Sequence, residues 1–200
     1  MRGVAWRGVF GNDRPVEVEI GPGRGDVLLA FAAAVPGRNF FGIERPGGAA
    51  AAIAARAAAR GLANVKVVAG DARCIVAELV PDGSVAAYHV YFPDPWPKTR
   101  HRKRRLASAD FATALARTLA PGGTVDVASD LSAIVERFAA ELERANLVRV
   151  RGAQPRAARP ITAFERKYAS GGTYEARFSR PASKAEEGAP APDARTVDGT

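Results

Sequence analysis

Short apolar runs alternate along the chain with longer stretches of helical periodicity. Five of these runs are typical of strands, because they are rich in β-branched and aromatic residues and are bounded by turn residues. The predicted strands are VEVEI (16–20), NFFGI (39–43), VKVVA (65–69), VAAYHVYF (85–92) and TVDVAS (124–129). Helices are predicted near residues 25–35, 47–60, 72–80, 108–119 and 131–145.

This alternation of strands and helices predicts the fold class. Strands joined by helices pair in parallel, with helices on both faces of the sheet, and right-handed crossovers make the fold a doubly wound, Rossmann-like α/β fold. Near the C-terminus, LVRV (147–150) and GTYEARFSR (172–180) predict two more strands, the last one antiparallel at an edge. We expect one domain over residues 16–180, a short arm over 1–15, and a disordered tail over 181–200.

The composition adds to this picture. With 200 residues, 47% apolar and 25% charged, the chain is typical of one soluble domain, and no apolar run approaches the length of a membrane span. The first residues contain no apolar segment of a signal peptide. Cys74 is the only cysteine, so it forms no internal disulfide. We expect a cytoplasmic protein in which Cys74 is a small buried hydrophobe rather than a nucleophile.

The positive charge of the chain is concentrated in one stretch. The formal net charge is +8, and six basic residues between Lys98 and Arg105 supply +6 of it, which leaves +2 for the rest of the chain. A focused basic patch suits a polyanion such as nucleic acid. A solvated basic loop without a partner is the alternative that the charge alone leaves open.

A glycine-rich turn, EIGPGRG (19–25), follows the first predicted strand. Its spacing is G-x-G-x-G and not the G-x-G-x-x-G of dinucleotide-binding proteins, which disfavours a dinucleotide oxidoreductase. Glycines allow a tight turn and a close approach of the backbone to a ligand. A turn that binds no ligand is the alternative interpretation.

Three carboxylates stand at the ends of the first three predicted strands, namely Glu19, Glu44 and Asp71. Open α/β sheets bind ligands at this edge. Glu44 is suited to accept hydrogen bonds from two ribose hydroxyls, and Asp71 from an adenine amine. A carboxylate beside the turn repels phosphate and attracts a cation, which favours S-adenosylmethionine with its sulfonium and amino groups. Asp71 is also a candidate helix N-cap.

The fourth strand runs into YFPDPWPKTRHRKRR (91–105). It would place Asp94 near the reactive end of the cofactor, on a loop whose conformations three prolines restrict. Trp96 could stack on a base or pack the loop down. The basic run that follows could bind phosphates next to the site of transfer.

The segment FPDPWPKTRHRKRR (92–105), with EIGPGRG upstream and ITAFE (161–165) downstream, resembles the bacterial tRNA (guanine-N7)-methyltransferase family. The likeness covers about residues 16–180. It implies transfer of a methyl group from S-adenosyl-L-methionine to N7 of guanosine 46 in the variable loop of tRNA. An S-adenosylmethionine-dependent methyltransferase of another substrate and a non-catalytic RNA-binding relative are the alternatives.

The resemblance also implies roles for individual residues. Asp94 matches the residue regarded as catalytic in the family. The cofactor-binding positions are Glu19, Gly21, Gly23, Glu44, Asp71 and Asp94. The substrate-binding positions are Lys98, Asp130, Thr162, Ala163, Phe164 and Glu165. The RNA-contacting positions are Arg100, His101, Arg102, Lys103, Arg104 and Arg105.

Some of these residues have a purely structural alternative, and the resemblance limits the partners. Asp130 could be the N-cap of the helix that follows it, and Thr162 with Glu165 fits a capping box. Neither His89 nor His101 has a sequence partner that indicates a metal site or a catalytic triad. We expect tRNA as the partner, no membrane, no metal and no obligatory protein partner, with monomer and homodimer both open.

Overall fold

The structure, a computed structural model, describes residues 5–95, 105–152, 161, 165 and 172–182. The strands in this part of the chain are β1 (Val16–Ile20), β2 (Asn39–Glu44), β3 (Val65–Ala69), β4 (Val85–Tyr91), β5 (Leu119–Ser129), β6 (Val148–Arg149) and β7 (Tyr174–Ser179). The helices are α1 (Trp6–Phe10), α2 (Asp26–Ala34), α3 (Gly47–Ala59), α4 (Ala72–Glu78), α5 (Ala109–Thr118) and α6 (Ser132–Arg144). Every predicted strand and helix is present, and α1 lies within the predicted arm.

The strands form one sheet in the order β3-β2-β1-β4-β5-β7-β6. The first five strands of the chain pair in parallel, and β7 runs antiparallel to both β5 and β6. The predicted mostly parallel, doubly wound α/β fold is therefore confirmed. The antiparallel strand β7 is not outermost, because the two-residue β6 pairs with Phe178 and Ser179 on its far side. A short outer strand leaves few open backbone groups at the sheet edge.

Helices cover both faces of the sheet. One core lies under α2 and α3 and includes Leu28, Phe40 and Ile53. The larger core lies under α4, α5 and α6 on the opposite face. Helix α6 packs there because its buried residues follow the i, i+3, i+4, i+7 spacing of one helical face. They are Val135, Phe138, Ala139 and Leu142.

Two features differ from the sequence-based expectations. Strand β5 begins at Leu119, five residues before the predicted start, and its pairing with β4 shifts register between Val85 and Ala87. A Pro-Gly-Gly segment within it argues against a strand locally, and a bulge accommodates the extra residues. The second feature is helix α1, which was not predicted within the N-terminal arm. Trp6 anchors this helix, because its indole N–H donates to the Ser84 hydroxyl at 3.0 Å.

The topology creates a crevice at one edge of the sheet. The chain leaves β1 through α2 to β2 on one side, whereas β4 and β5 extend the sheet on the other side. The strand order therefore reverses between β1 and β4. Ligands of open α/β sheets bind at the carboxyl ends of the strands at such a reversal. The glycine turn after β1 lies at this point.

Gly25, at the start of α2, offers a test of the packing beneath the turn. Its φ is +73°, and a Cβ atom there would lie 2.8 Å from Cγ2 of the buried Ile53. We expect G25A to lower the free energy of unfolding by about 1–2 kcal/mol, which is the cost of an alanine in the left-handed conformation. The steric contact with Ile53 should lower it further. Urea unfolding followed by circular dichroism would measure the free energy of unfolding. The matched control is G61A, because Gly61 has a φ of +67° with nothing within 4 Å. Equal losses in the two variants would contradict the steric argument.

Candidate active site

A cleft of about 350 Å³ opens at the carboxyl ends of β1, β2, β3 and β4. Its lining comes from segments that lie far apart in sequence, which the parallel sheet brings to one edge. The lining residues are Ile20, Gly21, Gly23, Ile43, Glu44, Arg45, Pro46, Gly70, Asp71, Ala72, Tyr91, Phe92, Pro93, Asp94 and Leu106. Five of the predicted cofactor-binding residues, Gly21, Gly23, Glu44, Asp71 and Asp94, thus share one cleft.

The glycine turn forms one wall of the cleft. Gly21 and Gly23 have φ values of +68° and +57°, which only glycine adopts without strain. The N–H of Gly21 donates to the carbonyl of Ile43 at 2.9 Å, so the turn is fixed to the end of β2. A Cβ atom at either glycine would meet nothing within 4 Å. The backbone here is therefore open to a ligand.

Glu44, the last residue of β2, is held against this turn. Its Oε2 accepts a hydrogen bond from the N–H of Gly23 at 2.6 Å, and its Oε1 accepts from the N–H of Arg45 at 3.0 Å. Each carboxylate oxygen has further lone pairs that can accept from a ligand hydroxyl. The two backbone donors orient the carboxylate before a ligand arrives.

Asp71 combines a structural role with its position in the cleft. It is the N-cap of α4, and its Oδ1 accepts from the N–H of Arg73 at 3.0 Å. The Arg73 guanidinium donates to Oδ2 at 2.6 Å, and Arg45 lies 3.4 Å from the same oxygen. The hydrogen bond from Arg73 lowers the pKa of the Asp71 carboxyl below its ordinary value. The interpretation as an N-cap is confirmed, and contact with an adenine remains a prediction.

Asp94 is presented by a strained turn at the end of β4. Phe92 has a φ of +49°, which is costly for a bulky residue, and its N–H donates to the Ala128 carbonyl at 2.8 Å. The chain then leaves the sheet, and Asp94 is exposed. Strain that the neighbouring strand holds in place is typical of functional sites. The turn carries Asp94 from the sheet edge to the mouth of the cleft.

The chain matches a family of known proteins over most of its length. A family model described as "Putative methyltransferase" matches residues 13–177. A relative from Leifsonia xyli subsp. xyli, named tRNA (guanine-N(7)-)-methyltransferase, is 41% identical over 80% of this chain and 72% of its own. A relative of the same name from Alkalilimnicola ehrlichii is 40% identical over 79% of this chain and 68% of its own. The chain belongs to the tRNA (guanine-N(7)-)-methyltransferase family.

Solved structures share the fold of this family member at low sequence identity. The 16S rRNA methyltransferase KamB is 18% identical, with a TM-score of 0.67 over 88% of this chain and 92% of that one. A 16S rRNA (adenine(1408)-N(1))-methyltransferase from Catenulisporales acidiphilia is 17% identical, with a TM-score of 0.62 over 90% of this chain and 91% of that one. These similarities support the methyltransferase fold.

Four other residues that the resemblance to the family singled out fall within the described part of the chain. Glu19 is only 4% exposed at the end of β1 and is not part of the cleft lining. Asp130 follows β5, and its Oδ1 accepts a hydrogen bond from the Ser129 hydroxyl at 3.3 Å. The N-cap of α6 is Leu131, so the interpretation of Asp130 as that cap is wrong. Arg105 and Glu165 are both partly buried.

The remaining predicted residues lie outside the described part of the chain, as does most of the predicted tail. These residues are Trp96, Lys98, Arg100, His101, Arg102, Lys103, Arg104, Thr162, Ala163 and Phe164.

The expectation that Cys74 is buried is wrong, because the side chain is exposed. Helix α4 packs on the sheet through Ala72 and Val76, which are four residues apart on one face. Cys74 stands midway between them in sequence, about 200° around the helix from each, and therefore points to solvent.

A row of ionisable side chains crosses the sheet and was missed by sequence analysis. His89 Nε2 lies 2.8 Å from Glu17 Oε2, and His89 Nδ1 lies 3.7 Å from Asp126 Oδ2. Arg177 donates to both Asp126 oxygens at 2.6 and 2.8 Å, and Arg38 donates to Glu17 at 2.7 Å. The only sequence signal was charge inside apolar strands, as in VEVEI and TVDVAS. Alternation alone did not show that these residues meet.

Neither a membrane-spanning helix nor a metal-binding cluster occurs among the described residues. None of the helices there is both long enough and apolar enough to cross a membrane. In the same part of the chain, no group of three or more His, Cys, Asp or Glu side chains is placed to hold a metal ion.

Substitution of Glu44 tests the cofactor cleft. We expect E44A to weaken S-adenosylmethionine binding at least about tenfold, because a hydrogen bond to a charged acceptor contributes about 1.5–3 kcal/mol. Isothermal titration calorimetry would measure the dissociation constant. D82A is the matched control, since Asp82 is an exposed carboxylate paired with Arg117 outside the cleft lining. If E44A binds as tightly as D82A, Glu44 is not a cofactor residue.

Proposed function

We propose that this protein transfers the methyl group of S-adenosyl-L-methionine to N7 of guanosine 46 in the variable loop of tRNA. One observation carries the proposal. Asp94 stands at the mouth of the cleft on the strained turn after β4, within a chain that is about 40% identical to relatives named for this reaction. The residues of the cleft and the basic run support its two substrates separately.

The residue types that line the cleft suit S-adenosylmethionine. Glu44 and Asp71 offer carboxylate oxygens at the ends of β2 and β3, where ribose hydroxyls and an adenine amine can donate to them. The turn at Gly21 and Gly23 leaves space for the ligand to approach the protein backbone closely. When bound, S-adenosylmethionine supplies an electrophilic methyl group on a sulfonium. We propose that Gly21, Gly23, Glu44, Asp71 and Asp94 bind it from the lining of the cleft, and that Glu19, buried at the end of β1, is the sixth cofactor-binding residue.

The chemistry requires little from the protein beyond orientation. Guanine N7 is a lone-pair nucleophile without a proton at neutral pH, so its methylation requires no general base. The protein must hold the acceptor in line with the methyl group, and orientation is then the main catalytic contribution. The methylated base is cationic. The Asp94 carboxylate can hold the guanine edge and stabilise the positive charge that develops on the ring.

Recognition of tRNA would rest on the basic run that follows Asp94. Lys98 to Arg105 carry +6 within eight residues, and contacts to phosphates from such a run give affinity that falls with salt. We propose Lys98, Asp130 and residues 162–165 as the groups that hold the target nucleoside. The target base must leave its stack to reach the cofactor. We place the protein in the cytoplasm, with its tRNA substrate.

The first experiment is methyl transfer from labelled S-adenosylmethionine to an unmodified tRNA transcript, followed by identification of the product nucleoside. A second transcript would carry adenosine in place of guanosine 46. We expect N7-methylguanosine from the first transcript and none from the second. Transfer to both transcripts would contradict the position, and cofactor binding without transfer to either would contradict the substrate.

The role of Asp94 is tested by D94N. The amide keeps the size of the side chain but removes the charge that would stabilise the cationic product. We expect kcat to fall about 10²-fold or more, as for loss of one electrostatic group in a transition state, with the cofactor dissociation constant changed less than about threefold. Single-turnover kinetics and calorimetry would measure the two effects. Equal loss in both would assign Asp94 to cofactor binding alone.

A further inference from the structure

A second cavity, of about 230 Å³, adjoins the cofactor cleft. Pro93, Asp94 and Leu106 line both spaces, so the Asp94 turn forms the boundary between them. A water molecule takes up about 30 Å³, so the cavity has the volume of several water molecules. That is enough room for one purine ring. A base in this cavity would face the cofactor cleft across Asp94.

The outer wall of this cavity is the first two turns of α6. Leu131, Ala133 and Ile134 face the cavity from that side, opposite Leu106 and Ala107. Leu131 is 46% exposed, and with Ile134 and Leu106 it gives the cavity a connected apolar wall. Apolar walls with a few polar groups at the margin are typical of pockets for planar ligands.

Arg137 lies at the margin of the same cavity, one turn further along α6. Its side chain is exposed. It forms no ion pair or hydrogen bond within the described part of the chain, in contrast to Arg144 on the same helix, which donates to Glu141 at 2.8 Å. An arginine without a carboxylate partner beside an apolar pocket is suited to bind a phosphate.

We propose that the first two turns of α6 form the wall of the pocket that receives the target guanine, and that Arg137 binds a phosphate next to the target nucleoside. The proposal rests on the proposed function, since it names the place where the acceptor of that reaction binds. Three features support it. The cavity adjoins the cofactor cleft, its walls are apolar, and the charge of Arg137 and Arg105 at its margin complements RNA.

The pocket is tested by A133L, which fills the cavity from an exposed helical position. Leucine favours helix, so α6 should form as before. We expect kcat/KM for tRNA to fall at least about tenfold, with unchanged affinity for S-adenosylmethionine by calorimetry. The matched control is A55L, the same change at an exposed position of α3 that does not line the cavity. If A133L is as active as A55L, the proposal that this cavity receives the target guanine is overturned.

Arg137 is tested by the salt dependence of tRNA binding. Loss of one phosphate contact should reduce the slope of log K against log salt by about one. We expect this for R137A, with a higher KM for tRNA and an unchanged affinity for the cofactor. R144A removes a positive charge from the same helix at a site already paired with Glu141, and should leave the slope unchanged. Equal slopes for R137A, R144A and the unmodified protein would overturn the role of Arg137.

Activity of the unmodified protein distinguishes failure of the proposed function from failure of the pocket proposal. If it forms no N7-methylguanosine on tRNA, the proposed function fails and the pocket proposal fails with it. If it does form N7-methylguanosine and A133L and R137A behave as their controls do, only the pocket proposal fails.

Discussion

The pairing of Asp126 with Arg177 is the contact on which the second half of the sheet depends. The two residues are direct partners in the register of β5 and β7, and both Asp126 oxygens accept from the guanidinium. A slip of one residue would turn Arg177 to the opposite face and leave Asp126 buried without its partner. The pair therefore fixes the register of the antiparallel strand. Since β7 begins opposite Ser129, the chain enters it at the same edge of the sheet as the cofactor cleft.

The same row of ionisable side chains connects the Asp126–Arg177 pair to the strands at the centre of the sheet. His89 lies between Glu17 of β1 and Asp126 of β5, and its Nδ1 lies 3.0 Å from the hydroxyl of Tyr91. Tyr91 in turn lines the cleft at the carboxyl ends of β1 to β4. Buried charges are costly unless they are paired, and their best-supported benefit is a specific arrangement rather than stability. The row thus aligns the strands whose ends carry the site, and the strain at Phe92 is held by the ladder beside it.

The local sequence pattern was enough to predict much of the fold and several residues of the candidate site. The strands, the helices and the parallel pairing of the first five strands followed from hydrophobic periodicity and from the turn residues. Gly21, Gly23, Glu44, Asp71 and Asp94 were placed correctly at one edge, because strand ends in a parallel sheet converge. Cys74 was misjudged because its exposure depends on which face of α4 packs. The alternative interpretation of Asp130 as the N-cap of α6 was wrong by one residue, since backbone conformation and not residue type decides where a helix begins.

The sequence by itself determined the fold class, the edge of the sheet that carries the cleft and the segment that matches the methyltransferase family. Local periodicity locates each strand and the turn that follows it, and the ends of parallel strands converge on one edge. The tertiary structure alone decided three other features. It brought Glu17, His89, Asp126 and Arg177 into one row across the sheet, inserted β7 between β5 and β6, and opened a cavity between the Asp94 turn and α6. These features join residues tens of positions apart, and the packing of whole elements, which no local periodicity encodes, sets their distances.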